Sequence, residues 1–329
     1  MVNRIEWIDA LKGFAIFTVV LGHCTGGALA SHAFINNKDM ILAIHNFIYS
    51  FHMPLFFSAS GFLFYLTKSY NKYKVKVLDL ALMYAFWTII TWLMKYFAGN
   101  SINYPVTFQT LLTNIYNPTF IYWYLYALML MYLFYSITKI KQIDIKALLP
   151  LAVISCSSKF LLPNLGIVTS AVYFAYFFAL GGYLINSENY KKLNKYILIP
   201  CTAITLINIY LYINQIILSS EIQIIKDFIL SNAAIIICYY IFTSYKQLKL
   251  FNLFGFYSLH IYVTHDFLVA GTRMLFIRHN LENFPLFAII GLILSLTIPI
   301  IIGKLCSKNA LLNFPFAPLN TLKTLFPSK

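Results

Sequence analysis

Apolar positions in this chain cluster into long runs separated by short polar connections. Ten of these runs approach the about 20 residues that a helix needs to cross the hydrocarbon core of a bilayer. They are residues 11–30, 47–66, 77–98, 120–138, 147–162, 167–186, 196–218, 228–245, 253–272 and 284–302. The fifth is short and carries Pro150, and the ninth is the most polar. The pattern predicts an all-α fold, a polytopic membrane helix bundle of about ten transmembrane helices. The longest connection, residues 99–119, is uncharged, contains Pro105 and Pro118, and is expected to lie along the outer surface.

Composition removes the soluble alternative. Sixty per cent of the 329 residues are hydrophobic and 10% are charged, whereas about a quarter of an ordinary soluble chain is charged. Mean hydropathy is +0.74. The net charge of +14 would suit nucleic acid if it formed a continuous patch. It is instead dispersed in short clusters between apolar runs, which excludes nucleic acid as a partner. With the N-terminus inside, the inner segments hold eighteen Lys and Arg residues and the outer segments five: Lys38, Lys159, Lys226, Arg273 and Arg278. That bias predicts both termini in the cytoplasm, in a bacterial plasma (inner) membrane. A cleaved signal peptide is the competing reading of the first run, on the strength of Ala28-Leu29-Ala30, but His23 would be an awkward guest in it. The five cysteines sit in apolar stretches without metal-like spacing and read as small hydrophobes.

Ionisable groups inside spans are costly, so each is a functional candidate. Lys12 and His23 are eleven residues apart, which returns to nearly the same helix face about 16 Å further along the axis. Asp9, three residues before Lys12, is placed to pair with it. One helix thus carries an anion-binding group near the inner edge and a proton acceptor deep in the bilayer. The plainer reading is a snorkelling Lys and a His bonded to a neighbouring helix. His52 opens the string Phe51 to Gly61 at the outer end of the second span, and His265, followed by Asp266, lies in the ninth. Both are candidates to share a cavity with His23. No HExxH is present and carboxylates are sparse, so no metal is expected. His32, His45 and His279 are assigned to surface or interfacial positions.

The residues 4–16, running on to Val20-Leu21-Gly22-His23, resemble the first helix of the acyltransferase-3 family of integral membrane O-acyltransferases. The basic residue and His eleven positions apart are matched by Lys12 and His23. Phe56, Phe57, Ser60, Gly61 and Phe62 match a Phe-Phe-x-x-Ser-Gly-Phe pattern, and Trp123 to Leu125 match a Trp-Tyr-Leu string. Ser258, Leu259, Ile261, Tyr262 and His265 match a late Ser-Leu-x-Ile-Tyr-x-x-His. The resemblance extends from Arg4 to about Ile302 and implies a ten-helix core, residues 1–305, followed by a short cytoplasmic tail, residues 306–329, without the hydrolase-like domain of some relatives. One departure stands out. Where the family carries an Arg-rich stretch leading into Pro-Tyr, this chain reads Lys72-Tyr73-Lys74-Val75-Lys76-Val77-Leu78-Asp79, with Met83-Tyr84 later.

The resemblance implies transfer of an acyl group, most often acetyl from cytoplasmic acetyl-CoA, to a hydroxyl of a cell-envelope glycan or a lipid-linked sugar precursor. Lys12, Lys74 and Lys76 are then partners for the anionic donor headgroup, although Lys74 and Lys76 also fit a purely topogenic basic loop. His23 fits two roles, general base on the acceptor hydroxyl or transient acyl acceptor. Asp9, His52, Ser60, Tyr262 and His265 are candidates for binding or orienting substrate, with a structural role for each equally open. The rival class is a non-enzymatic flippase or transporter of a lipid-linked sugar, in which the histidines gate protons. It would be expected to show an internal repeat, and none stands out.

Overall fold

Helix formation follows the apolar runs, and the polar residues between them cap the helix ends. In the computed structural model of this protein, the residues described are 5–31, 33–67, 70–99, 105–138, 140, 142–245 and 248–325. Arg4, His32, Lys68, Lys139, Lys141, Lys246 and Lys329 lie outside them, as does the side chain of Lys72. The long helices are α1 (Glu6–Ser31), α2 (Lys38–Thr67) and α3 (Tyr70–Ala98), followed by the short α4 (Phe108–Thr113). Next come α5 (Trp123–Thr138), α6 (Ile145–Leu161), α7 (Ile167–Ile185), α8 (Lys195–Ile213) and α9 (Ser220–Ser244). A short α10 (Lys249–Phe256) leads into α11 (Ser258–Arg278) and α12 (Phe284–Cys306). Two small helices, α13 (Ala310–Asn313) and α14 (Pro318–Leu325), end the described chain. The Asp144, Asn194, Ser219 and Asn283 side chains accept first-turn backbone N–H groups of α6, α8, α9 and α12, which would otherwise lack partners.

Every predicted span falls on a helix, but among the described residues seven helices are by themselves long and apolar enough to cross a membrane. α5 is apolar with 16 residues. The ninth predicted span, 253–272, is corrected: the chain turns at Tyr257, so 253–256 end α10 and the deeper helix is α11. The second is longer than expected, since α2 begins at Lys38 and carries His52 well inside the helix. Part of the 99–119 connection folds as α4, whose N-terminus is closed by a capping box between Thr107 and Thr110.

α1 and α2 form the centre of the bundle. α1 packs against α2, α10, α11 and α12, and α2 against α1, α7 and α9. Two crossings are unusually close, and both use paired glycines. A Cβ on Gly61 of α2 would lie 1.9 Å from the Phe178 carbonyl oxygen of α7, and one on Gly181 of α7 would lie 1.9 Å from that of Ser58. The α1–α10 crossing repeats the device, with Gly13 against Phe251 and Gly255 against Asp9, each at 1.8 Å. Without a hydrophobic drive between helices in lipid, backbone approach of this kind gains van der Waals contact that bulkier residues forbid.

Pro54 lies inside α2 and removes the hydrogen bond to the carbonyl of Ser50, four residues earlier. Ser231 of α9 donates its hydroxyl to that carbonyl at 2.5 Å, so the freed group is satisfied by a neighbouring helix. The tail residues pack back on α3 and α11: Trp87 Nε1 donates to the Pro315 carbonyl at 2.8 Å, and Leu319 N donates to Asp79 at 3.3 Å. Phe316 stacks on His260 with centroids 4.2 Å apart.

Candidate active site

Small residues on α1 allow aromatic side chains of α2 to lie directly against it. A Cβ on Gly22 would meet the Tyr49 ring at 3.1 Å, and one on Gly26 would meet His45 at 3.2 Å. Between these two helices, α5, α6, α7 and α11 lies a cavity of about 370 Å³, lined by Val19, His23, Tyr49, His52, Met53, Thr119, Phe120, Ile121, Trp123, Lys159, Ser170, Phe174 and Tyr262. Of the predicted site residues it brings together His23, His52 and Tyr262. It lies at the end of the bundle where α1 and α6 finish and α7 begins.

His23 borders it, with 26% of its side chain accessible. Its Nδ1 lies 3.6 Å from Asp266 Oδ1, an ion-pair contact longer than a hydrogen bond. The His265 ring stands edge-on to it, with centroids 4.8 Å apart and an interplanar angle of 73°. His265 itself is fully buried behind the cavity wall. Its Nδ1 faces the carbonyls of Ile261 and Tyr262 at 3.0 and 2.8 Å, and its Nε2 has no hydrogen-bond partner among the described residues. His52 Nδ1 bonds the Ile48 carbonyl at 2.8 Å, which sets its tautomer and turns Nε2 away from its own helix backbone. Tyr262 donates its hydroxyl to the Ile121 carbonyl, tying α11 to the segment before α5. Ser60 is not on the cavity wall; it shares a hydrogen bond of 2.7 Å with Tyr124.

His45, expected at a surface or interfacial position, belongs to α2 and not to a loop. It is half-buried on α2, its Nδ1 3.0 Å from Thr25 Oγ1 of α1, and its ring lies 4.0 Å from that of Tyr49. Tyr49 in turn stands 4.8 Å from His52, so an aromatic and imidazole row runs along the α1–α2 seam.

The predicted donor-binding cations are not assembled into one cluster. Lys12 is half-buried and pairs with Asp9 at 3.3 Å. Lys76 pairs with Asp79 at 3.6 Å, and Lys74 is exposed; both stand on α3, whose principal partner is α5. Asp79, the departure from the family pattern, thus serves both Lys76 and the backbone of the folded tail. Asp9 instead lines a second chamber of about 510 Å³ at the opposite end of α1, with Glu6, Asn252, Leu253, Phe256, Tyr257 and Lys304. The two chambers share no lining residue.

Asp266, Tyr49 and Lys159 were not predicted as site residues. Asp266 and Lys159 carried the available signal, a charge within an apolar run; Tyr49, one of 25 tyrosines, carried none. Among the described residues, no group of three or more His, Cys, Asp or Glu side chains is arranged to hold a metal ion.

The sequence model of the acyltransferase-3 family, an acyltransferase domain, matches residues 5–304. The chain belongs to this family. No curated protein and no solved structure matches it. In this membrane acyltransferase, Lys12 and His23 stand on α1 and the string Phe56 to Phe62 on α2. The structure separates the tasks within that string: Gly61 makes the α7 crossing and Ser60 bonds Tyr124. In the late string of this acyltransferase, Tyr262 faces the cavity and His265 supports His23 from behind.

Proposed function

We propose that this acyltransferase moves an acetyl group from cytoplasmic acetyl-CoA to a hydroxyl of a cell-envelope glycan or its lipid-linked precursor. In this reading it works in the inner membrane of a bacterium, through about ten transmembrane helices with both termini in the cytoplasm. The observation that carries the reading is His23: one imidazole lines the aromatic cavity and also has a carboxylate, Asp266, against its Nδ1. A carboxylate at Nδ1 favours the tautomer with Nδ1–H, orients the ring and stabilises it when charged. Nε2 is then the atom left for chemistry.

Two routes use that atom. As a general base, Nε2 takes the acceptor hydroxyl proton as the oxygen attacks the thioester carbonyl, and returns it to the departing CoA sulfur. As a nucleophile, Nε2 attacks the thioester itself, CoA leaves as its thiol, and the acyl-imidazole is then opened by the hydroxyl. The second route suits a donor and an acceptor that arrive from opposite faces, which is the arrangement the two separate chambers favour. The inner chamber has Lys304 and, just beyond its Asp9, Lys12, but also the carboxylates Glu6 and Asp9. Donor phosphates would therefore have to draw Lys12 from Asp9. The Lys74 and Lys76 side chains are less suited, because one is exposed and the other is paired.

Reconstituted vesicles given acetyl-CoA on one face, with glycan acetylation followed by NMR, test the reading. Acetyl appearing on glycan supplied at the opposite face is the expected result; thioester left intact in the presence of acceptor would refute it. Lys12→Ala is expected to raise the KM for acetyl-CoA about fivefold, the value of roughly 1 kcal/mol for one partly screened ion pair, with kcat little changed. An unaltered KM would remove Lys12 from donor binding.

A further inference from the structure

The wall of the His23 cavity carries a cation. None of its lining residues is a carboxylate, and one, Lys159, is a cation. Lys159 stands at the end of α6 with its Nζ 4.8 Å from the centroid of the Tyr173 ring. Among the described residues no carboxylate lies within 4 Å of it. A second cation stands by another lining residue: Lys95 Nζ lies 4.9 Å from the centroid of the Phe120 ring. It too has no carboxylate within that distance among the described residues. Both ammonium groups are held over aromatic faces, which attract a cation through the ring quadrupole without neutralising it. Asp266, the carboxylate at 3.6 Å from His23 Nδ1, is not among the lining residues.

The rest of the wall has the character of a carbohydrate site. Trp123, Phe120, Phe174 and Tyr49 offer flat apolar faces, while Thr119 and Ser170 offer hydroxyls. The volume, about 370 Å³, is at the small end of the range of about 300–1,000 Å³ typical of small-molecule sites. Aromatic faces and hydroxyls alone would suit a neutral sugar. An ammonium in the same wall, with no described carboxylate within 4 Å, adds selection for negative charge, since a charge-assisted hydrogen bond is about twice as strong as a neutral one.

We propose that the acceptor is an acidic sugar unit, its charge a carboxylate or a phosphate ester, held by Lys159 while a hydroxyl of the same unit faces His23. This rests on the acyl-transfer reading above, but it concerns binding and is testable without transfer. Binding of three probes to the purified protein in lipid nanodiscs, without acetyl-CoA, is the measurement: methyl glucoside, methyl glucuronide and methyl glucoside 6-phosphate. The wild type is expected to bind one or both charged probes about tenfold more tightly than the neutral one, the effect of one hydrogen bond to a charged group. Whichever of the two binds better identifies carboxylate or phosphate as the natural charge. Lys159→Met should reduce the preference to parity while neutral-probe binding is kept, which also shows that the variant is folded. Lys159→Arg should restore the preference. Equal binding of neutral and charged probes by the wild type, no binding of any probe, or a preference that survives Lys159→Met would each overturn the proposal. If the preference holds but His23→Ala still transfers acetyl, the acidic-acceptor inference stands and the role of His23 falls; the converse pair of results separates them the other way.

Discussion

Replacing His23 with alanine is expected to abolish glycan acetylation, with a loss of at least about a hundredfold, the low end of what general acid–base catalysis contributes. The protein should still reach the membrane in normal amounts, because the ring borders a cavity and is partly accessible, so its removal enlarges an existing space rather than emptying a packed core. Asp266→Asn is a graded companion. An amide at the same position keeps the shape but loses the charge that stabilises imidazolium, and a loss of about tenfold or more is expected. His265→Ala separates support from chemistry: it should lower transfer through misplacement of the His23 ring, which it touches edge-on. Transfer rates measured in membranes normalised for protein level decide the matter. Wild-type acetylation by His23→Ala would end the proposed mechanism.

The second large effect is structural and lies within the same motif region. Gly61→Ala is expected to destabilise the bundle by more than the about 1–3 kcal/mol usual for overpacking, because the new Cβ would meet the backbone of Phe178 at 1.9 Å. Backbone atoms cannot swing aside as a side chain can, so α2 and α7 must separate, and the reciprocal contact of Gly181 with Ser58 is lost with them. A melting temperature lowered by several degrees in detergent, together with falling membrane levels, is the expected readout. Gly271→Ala is the control, since a Cβ there meets nothing within 4 Å and should leave stability unchanged. Equal melting temperatures for Gly61→Ala and the control would show that the α2–α7 crossing is looser than described.

These two predictions mark different kinds of legibility. The positions of most helices could be read along the chain because burial in lipid demands continuous apolar runs; each run overlaps a helix, the ninth being divided between two, and seven described helices are long and apolar enough to span. The Lys12–His23 spacing and the late His265 were visible as polar groups in apolar surroundings, which are costly enough to be rare. The break at Tyr257 was not visible. Gly255, two residues before it, meets the backbone of α1, and the composition of 253–272 does not show which glycine has a neighbour at 1.8 Å. The contact of His45 was not visible for a related reason: its partner, Thr25, is twenty residues away on another helix.

Sequence alone determined that the chain is helical, membrane-embedded and an acyltransferase-3 member, since hydropathy, charge bias and motif order are properties of neighbours along a line. Tertiary structure alone decided that Asp266 stands beside His23, that Lys12 is matched by Asp9 in a region apart from the His23 cavity, and that Lys159 lines that cavity with no described carboxylate within 4 Å. The physical reason is that the energy of a charge depends on what surrounds it within a few ångströms. In a helix bundle those surroundings come mostly from other helices, whose order in space the linear sequence does not record.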